Sequence, residues 1–333
     1  MASRSLQVAF SASSRLGLSR SLLYKNLGAT QVGFSTSSNK AAINNVTVFG
    51  GGLMGAGIAQ VAAVAKYQVT IVDQTNAILI KTLQSIERSL GRVTKKQYKD
   101  NPEDGKKFVG ETLSRIKISL DTTGSVADSD LVIEAIVENM KVKHKLFTAL
   151  DEAAPSNTLF ATNTSSLPVG DIAQVTARKD RFGGLHFFNP VPLMKLVEVI
   201  RIPETSNETF DALFQFSKSL GKVPVTCKDT PGFVVNRLLV PYMAEAVRML
   251  ERGDATAKDI DTAMKLGAGY PMGPFELADY VGLDTTLFIM QGWAEKYPDV
   301  ELFKPPEILK DLVARNKFGR KSGEGFYNYE NMK

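Results

Sequence analysis

The chain is poor in the side chains that build disulfide frameworks and zinc sites. Its 333 residues include one cysteine, Cys227, and two histidines, His144 and His186. One cysteine cannot form an internal disulfide, and cysteine-rich or histidine-rich metal sites need more ligands than these three residues offer. No run of 18 or more apolar residues occurs either, which argues against a transmembrane helix. We therefore expect a globular protein without metal.

Acidic residues are absent from the first part of the chain. The first is Asp73, whereas residues 1–40 contain five basic residues and ten serines. An Arg-rich, Ser-rich and acid-free leader is typical of a mitochondrial transit peptide, so residues 1–42 are predicted to direct the protein to the mitochondrial matrix. The alternative is a disordered tail without a targeting role. Of the 40 basic residues, the 35 outside the leader balance 35 acidic ones, so the basic pI indicates no nucleic-acid partner.

Short buried strands alternate with helical segments as far as residue 230. The strands are apolar, partly β-branched runs, and the segments between them carry good helix formers. The predicted strands are Val46–Gly50, Val69–Asp73, Leu131–Glu134, Thr158–Thr162, Phe182–Phe188 and Met194–Arg201. The predicted helices are Leu53–Lys66, Asn76–Leu90 and Lys141–Ala154, and the basic stretch 91–110 belongs to a predicted helical hairpin insertion. This alternation predicts an α/β fold with a parallel, doubly wound sheet of Rossmann type.

The pattern changes after residue 230. Four further segments have helical character and no convincing strand follows them: Phe233–Arg252, Thr256–Leu266, Pro274–Lys296 and Pro306–Asn316. The sequence therefore predicts a leader at 1–42, a Rossmann domain at 43–230 and an all-helical C-terminal domain at 231–333.

A glycine motif lies at the end of the first strand. Gly50-Gly-Gly-Leu-Met-Gly55 is a G-x-G-x-x-G that opens a helix, and Asp73 ends the next strand eighteen residues later. Such a turn lets the backbone approach a pyrophosphate, and the following acid binds the adenosine ribose. A carboxylate would repel a 2′-phosphate, so the motif predicts NAD binding over NADP. The alternative is a glycine turn needed only for packing.

His186 and Glu198 are the candidate catalytic pair. They are equally far in sequence from Pro192, in the turn Asn189-Pro-Val-Pro192, so they face each other if the flanking strands fold back. A carboxylate beside an imidazole fixes its tautomer and stabilises the imidazolium. The alternatives are a core histidine and a solvent-facing glutamate. His144 lies in the basic stretch Lys141-Val-Lys-His-Lys and is predicted to be solvated and uninvolved.

Six motifs along the chain form a recognisable set. They are Gly-Gly-Gly-Leu-Met-Gly at 50–55, Glu-Ala-Ile-Val-Glu at 134–138, Asn-Thr-Ser-Ser at 163–166, His-Phe-Phe-Asn-Pro at 186–190, Asp-Thr-Pro-Gly-Phe-Val-Val-Asn-Arg at 229–237 and Gly-Tyr-Pro-Met-Gly-Pro-Phe-Glu at 269–276. Together they resemble the motifs of L-3-hydroxyacyl-CoA dehydrogenases, especially the mitochondrial short-chain members of fatty-acid β-oxidation. The resemblance implies NAD-dependent oxidation of an L-3-hydroxyacyl-CoA to the 3-oxoacyl-CoA. It also implies a substrate pocket and homodimer contacts in the helical domain.

The same resemblance implies a role for individual residues. Four belong to the catalytic set, with His186 as the general base: His186, Glu198, Ser165 and Asn236. Cofactor contacts fall on Gly50, Gly51, Gly52, Leu53, Met54, Gly55, Asp73, Glu138, Lys143, Ser165, Asn189 and Lys321. Contacts with CoA fall on Ser89, Lys96 and Ser165, and the nearby Lys95 and Lys99 suit its phosphates.

Two other functions fit parts of this pattern. One is a related NAD-dependent dehydrogenase of a small free hydroxy acid, and the other is a non-catalytic NAD-binding protein. The lysines at 95, 96 and 99 favour a CoA thioester, because a free acid has no distal phosphates. The His186–Glu198 pair favours an enzyme, because a protein that only binds NAD has no use for a general base.

Overall fold

The structure, a computed structural model, describes residues 43–330. The predicted leader and the last three residues lie outside the described part. The eight strands run in chain order as β1 Asn45–Phe49, β2 Gln68–Val72, β3 Ile116–Ser119, β4 Leu131–Glu134, β5 Leu159–Thr162, β6 Phe182–Phe187, β7 Leu196–Arg201 and β8 Val223–Lys228. The helices of the first part are α1 Leu53–Val64, α2 Asn76–Gln97, α3 Pro102–Leu113, α4 Met140–Ala153, α5 Val169–Ala173 and α6 Asn207–Ser219. From residue 235 onward the helices are α7 Val235–Glu251, α8 Ala257–Gly267, α9 Pro274–Val281, α10 Leu283–Lys296 and α11 Glu307–Ala314.

The strands form one sheet in the order β3-β2-β1-β4-β5-β6-β7-β8. The chain runs outward from β1 through β2 to β3, then crosses to β4 on the other side of β1. This reversal leaves a crevice at the carboxyl ends of β1 and β4, where α/β folds bind their ligands. The sheet is parallel as predicted, except that β6 and β7 pair antiparallel. That exception is the fold-back on which the predicted histidine–glutamate pair depends.

Helices cover both faces of the sheet because alternate strand residues point to opposite sides. Val46 and Val48 of β1 pack with α1, α2 and α6 in one core. Phe49 packs in a second core with Phe147 of α4 and with α5. The predicted fold class, a doubly wound sheet followed by a helical region, is thus confirmed.

Several predicted boundaries need correction. The second helix continues to Gln97, seven residues beyond its predicted end, and turns into α3 to complete the helical hairpin. Thr75 caps the start of α2 by accepting a hydrogen bond from the Ile78 N–H. The edge strands β3 and β8 were missed, because β3 exposes half of its residues and β8 buries none fully. Edge strands lack the continuous apolar runs that mark buried strands.

The helical region after β8 differs from its prediction in one place. The segment 274–296 is two helices, α9 and α10, separated at Gly282, whose φ is 105°. A helix cannot continue through that backbone conformation. Within residues 43–330 no helix is long and apolar enough to cross a bilayer. The domain boundaries at 42 and 230 stay predictions.

Candidate active site

The glycine loop joins β1 to α1 at the crevice. Gly50 has a φ of 104°, and a Cβ at this position would collide with the carbonyl oxygen of Ala135. Only glycine therefore fits this turn. Gly52 is the N-cap of α1, and among the described residues no side chain caps this helix. The uncapped N–H groups and the positive end of the helix suit the phosphates of a dinucleotide.

Asp73 directly follows β2 beside this loop. Its carboxylate accepts hydrogen bonds from the Gly51 N–H at 2.6 Å and from the Gln74 N–H at 2.6 Å. The side chain is half-buried. The acid thus lies against the glycine loop, where the motif predicted a ribose-binding carboxylate.

His186 and Glu198 are paired across the β6–β7 hairpin. They are register partners, and Nδ1 of His186 lies 2.6 Å from Oε2 of Glu198. Both side chains are buried, and the imidazole ring packs against Phe188 and Phe233. The contact predicted from the turn is therefore present.

The other oxygen of Glu198 contacts the start of α7. Oε1 accepts hydrogen bonds from the Val234 N–H at 3.0 Å and the Val235 N–H at 2.9 Å. Burial alone would raise the pKa of Glu198, but the hydrogen bonds from His186, Val235 and Val234 outweigh it and lower this pKa. An ionised Glu198 can only accept, so Nδ1 of His186 carries the hydrogen and Nε2 is left as the basic nitrogen.

A polar loop at the end of β5 brings Ser165 and Asn236 together. The side-chain amide of Asn236 donates to the backbone oxygen of Ser165 at 3.2 Å. Asn163 accepts a hydrogen bond from the Phe187 N–H at 2.9 Å, which joins this loop to the strand that carries His186. Three of the four predicted catalytic residues thus lie on β6, β7 or the adjoining loop, and the fourth lies in the first turn of α7. Asn189 follows β6 and is exposed.

Glu138 holds the Ser165 loop from the opposite side. Its Oε1 accepts from the Thr164 hydroxyl at 2.6 Å, the Ser165 N–H at 2.8 Å and the Ser166 N–H at 3.1 Å. Burial raises the pKa of Glu138, but the charge of Lys143 and these hydrogen bonds outweigh it and lower the pKa. Glu138 is therefore a fixed carboxylate beneath the predicted catalytic serine.

Lys143 forms a buried ion pair that the sequence analysis missed. Its Nζ lies 2.6 Å from Glu134 and 3.1 Å from Glu138, and only 1% of its side chain is exposed. Glu134 is fully buried and also accepts from the Thr162 hydroxyl at 2.6 Å. The sequence did contain a sign of this pair, since Glu134 ends the apolar strand β4. A charge at the end of a buried strand needs a partner of opposite charge nearby.

His144 is only partly solvated, whereas the prediction placed it fully in solvent. It is half-buried, and its Nε2 lies 2.7 Å from the backbone oxygen of Asp171. This oxygen belongs to α5, so the side chain of His144 links α4 to α5. It does not contact His186 or Glu198, and it stays outside the candidate site.

Two family descriptions match the chain. "3-hydroxyacyl-CoA dehydrogenase, NAD binding domain" matches residues 45–230, more than half of the chain, and "3-hydroxyacyl-CoA dehydrogenase, C-terminal domain" matches residues 232–329. The chain belongs to the 3-hydroxyacyl-CoA dehydrogenase family.

Similar proteins agree with this assignment. The mitochondrial hydroxyacyl-coenzyme A dehydrogenase of Sus scrofa is 60% identical over 296 residues, which are 89% of this chain and 94% of that protein. The Homo sapiens protein of the same name is 61% identical over 296 residues, with the same coverage of both chains. The solved (S)-3-hydroxybutyryl-CoA dehydrogenase of Ralstonia eutropha superposes with a TM-score of 0.82 at 41% identity, over 87% of this chain and 100% of that one. The predicted enzyme class and cofactor are confirmed: the chain is an NAD-dependent 3-hydroxyacyl-CoA dehydrogenase.

The remaining predicted residues of this 3-hydroxyacyl-CoA dehydrogenase lie at its periphery. Ser89 and Lys96 are two helical turns apart on α2, so they share one face, and Lys96 is exposed. Lys321 lies beyond α11 and pairs with Asp284 of α10 at 2.6 Å. Among the described residues, none of the contacts of Lys321 is with another predicted site residue.

Two features of the described part of this dehydrogenase concern metal binding and the chemistry of its single thiol. Residues 43–330 contain no group of three or more His, Cys, Asp or Glu that could hold a metal ion. Burial raises the pKa of the Cys227 thiol to about 12, with the charges of Glu198 and Asp229 adding to the effect. Such a thiol stays protonated at neutral pH and is a poor nucleophile.

Proposed function

We propose that His186 is the general base of the reaction and Glu198 its orienting partner. The observation that carries this proposal is the 2.6 Å contact between Nδ1 of His186 and the buried, ionised Glu198. Because Nδ1 is engaged, Nε2 takes the proton from the 3-hydroxyl of the substrate. The neighbouring carboxylate then stabilises the imidazolium that forms.

Ser165 and Asn236 orient the reacting end of the substrate in this proposal. The hydrogen bond between Asn236 and the Ser165 backbone, together with the support from Glu138, fixes both polar side chains beside the β6–β7 hairpin. Fixed polar groups hold the hydroxyl near the base without reorganisation. Ser165 contacts CoA at this reacting end, whereas Ser89 and Lys96 of α2 contact its nucleotide end, with Lys96 meeting a phosphate.

The chain's own groups fit NAD at the crevice. The Gly50 turn, the uncapped start of α1 and the Asp73 carboxylate are what its pyrophosphate and ribose require. When bound, the cofactor supplies the hydride acceptor. The residues proposed to hold it are Gly50, Gly51, Gly52, Leu53, Met54, Gly55, Asp73, Glu138, Lys143, Ser165, Asn189 and Lys321. Since the bonding groups of Lys143 and Glu138 are directed into the protein, their contribution is to fix the Ser165 loop that borders the cofactor.

The cellular setting follows from the leader and the relatives. We propose that residues 1–42 import the protein into the mitochondrial matrix, where it oxidises L-3-hydroxyacyl-CoA in fatty-acid β-oxidation. Two curated relatives that are about 60% identical are named mitochondrial. We also propose a homodimer formed by the C-terminal helices, since Leu238 and Leu266 there are 68% and 83% exposed. Contact with a partner would remove this apolar surface from water, which is energetically favourable.

His186→Gln tests the mechanism, and His144→Gln is its matched control. A positioned general base contributes about 10²–10⁴-fold to the rate, so kcat with acetoacetyl-CoA and NADH should fall within that range. The affinity for NAD, measured by fluorescence titration, should barely change because the glycine loop is untouched. His144→Gln should retain wild-type kcat. If His186→Gln also retains it, the base is another group and the mechanism is wrong.

A further inference from the structure

A cavity of about 220 Å³ lies between the Ser165 loop and α10. Its walls are mostly apolar and are formed in part by Met140, Leu167, Pro231, Phe288, Ile289 and Trp293. For comparison, a cavity of about 150 Å³ lined by aliphatic and aromatic groups is large enough to bind benzene. The cavity beside α10 therefore has room for an alkyl segment of at least about six carbon atoms.

The cavity borders the candidate active site. Met140 comes two residues after Glu138, and Leu167 comes two residues after Ser165. Pro231 comes two residues before Phe233, whose ring lies 5.6 Å from the His186 ring. The segments that surround the reacting groups therefore continue directly into the cavity wall.

The cavity and the proposed CoA site lie on opposite faces of the sheet. Met140 and Leu167 pack against the core formed with α4 and α5. In contrast, α2 carries Ser89 and Lys96 and packs against the other core through Leu79, Ile86 and Leu90. A thioester with its nucleotide end at α2 and its reacting carbon at His186 would leave its acyl end on the cavity side.

The charged groups in the wall are already paired. Asp171 lies 2.5 Å from Lys296, and Asp229 accepts hydrogen bonds from the Val169 and Gly170 N–H groups. Paired charges provide no strong site for an ionic ligand. The apolar remainder of the wall favours a hydrocarbon.

Gly292 lies in the wall of this cavity, at an exposed position of α10. It lies inside α10, where glycine destabilises a helix relative to alanine. Its φ is not positive, and a Cβ added there would meet no atom within 4 Å. Backbone conformation and packing therefore do not require glycine at this position. The missing side chain leaves space next to Phe288, one helical turn away.

We propose that this cavity holds the acyl chain of the thioester and that Gly292 sets how long that chain can be. The proposal rests on the function proposed above and assigns the chain of a medium-length 3-oxoacyl-CoA to the space beside α10. Larger side chains at position 292 then shorten the accepted chain in proportion to their size.

A size series at position 292 tests the proposal. Wild type, Gly292→Ala and Gly292→Phe are assayed with NADH and either acetoacetyl-CoA or 3-oxodecanoyl-CoA. The ratio of kcat/KM for the long to the short substrate should fall about tenfold or more in Gly292→Phe and little in Gly292→Ala. Gly110→Phe, at an exposed glycine inside α3 with open space around a Cβ, should leave this ratio unchanged.

Each other outcome has a definite meaning. The proposal is overturned if Gly292→Phe leaves the kcat/KM ratio of the long to the short substrate unchanged. If the KM for NADH rises at the same time, the cavity serves the cofactor and not the acyl chain. If Gly292→Phe does not fold, the KM of the Phe288→Ala variant tests the proposal instead. The Phe288 ring is about half exposed and forms part of the cavity wall. Its removal should raise the KM for 3-oxodecanoyl-CoA by about fourfold for each methylene that loses its apolar contact. An unchanged KM would contradict binding of the acyl chain in this cavity. Failure of the wild type to reduce acetoacetyl-CoA would instead refute the proposed function.

Discussion

The carboxylate of Glu198 connects His186 of the candidate site to the start of α7. One of its oxygens binds His186 and the other accepts the N–H groups that begin α7, the helix on which Asn236 lies. The position of His186 therefore depends on the same side chain as the start of the helical region. A buried acceptor with this many donors stays ionised at neutral pH, as the lowered pKa of Glu198 indicates.

The ionisation of Glu198 makes stability depend on pH. Its folded pKa lies below the ordinary value of 4.5. The ionised group thus stabilises the fold above that ordinary pKa, and this contribution is lost as pH falls through the folded pKa. Urea unfolding should show Glu198→Gln to be about 1–3 kcal/mol less stable than the wild type at pH 7, and this difference should narrow as the pH falls below the ordinary pKa of a glutamate.

Glu87→Gln is the control for this titration. Glu87 is exposed on α2, so its replacement should change the unfolding free energy by less than about 0.5 kcal/mol. If the difference in unfolding free energy between the wild type and Glu198→Gln stays the same across this pH range, the pKa of Glu198 is not lowered on folding.

Asp73 is the residue that we propose determines the choice between NAD and NADP. Its carboxylate also accepts the Gly51 N–H, so Asp73→Ala removes both the ribose acceptor and a support of the glycine loop. Asp73→Asn keeps an acceptor oxygen but loses the charge that repels a 2′-phosphate. Steady-state kinetics should show a lower kcat/KM for NADH in both variants. The ratio of kcat/KM for NADH to that for NADPH should also be smaller than in the wild type. Equal efficiency of the wild type with both cofactors would contradict the role of Asp73.

The β6–β7 hairpin is the element that brings the candidate catalytic pair together. Lys222 supports its turn by donating from Nζ to the backbone oxygens of Val191 and Met194, the latter at 2.8 Å. Burial lowers the pKa of Lys222, and the nearby charge of Lys195 lowers it further. Both ends of the turn are thus tied to the chain just before β8, which limits how far the two strands can shift.

The break between α9 and α10 depends on Gly282. An alanine at its φ of 105° would be strained, and its Cβ would lie 3.0 Å from both Asp284 and Lys321. Thermal unfolding should therefore show Gly282→Ala to be about 1–3 kcal/mol less stable than the wild type. Gly110→Ala, in the exposed interior of α3, should instead be more stable by about 0.4–1 kcal/mol. If both substitutions stabilised the protein, or both destabilised it, the positive φ of Gly282 would not explain the effect of Gly282→Ala.

At the scale of the whole molecule, charge is divided between the leader and the rest of the chain. Residues 1–40 carry all of the formal net charge of +5, and the remainder is neutral. A neutral remainder lacks the overall positive field that attracts nucleic acids. The net positive charge therefore lies in the segment proposed to act in import, and the remainder of the chain carries no formal net charge.

Import can be tested without the rest of the chain. A fluorescent reporter fused to residues 1–42 should enter mitochondria, because its basic, acid-free sequence has the properties of a transit peptide. Replacing Arg4, Arg15 and Arg20 with glutamate should prevent entry, whereas replacing them with lysine should not. A reporter that stays in the cytosol with the native leader would show that the segment is only a tail.

Local sequence determined much of the candidate site. The glycine turn, Asp73 and the His186–Glu198 pair each depend on residues within about one strand–turn–strand or strand–turn–helix unit. Such units fold by rules of periodicity and turn chemistry that a sequence displays directly. The family motifs extended this to the enzyme class, which the comparisons confirm.

Only the tertiary structure decided how distant segments meet. The hydrogen bond from Asn236 to Ser165 spans 71 positions, and the one from Thr162 to Glu134 spans 28. The edge strands, the buried Glu134–Lys143 pair and the cavity beside α10 likewise depend on which elements pack together. Their residues resemble ordinary polar or apolar positions in the sequence. Their roles follow from strand order and packing, because burial against a specific neighbour is what gives a side chain its partner.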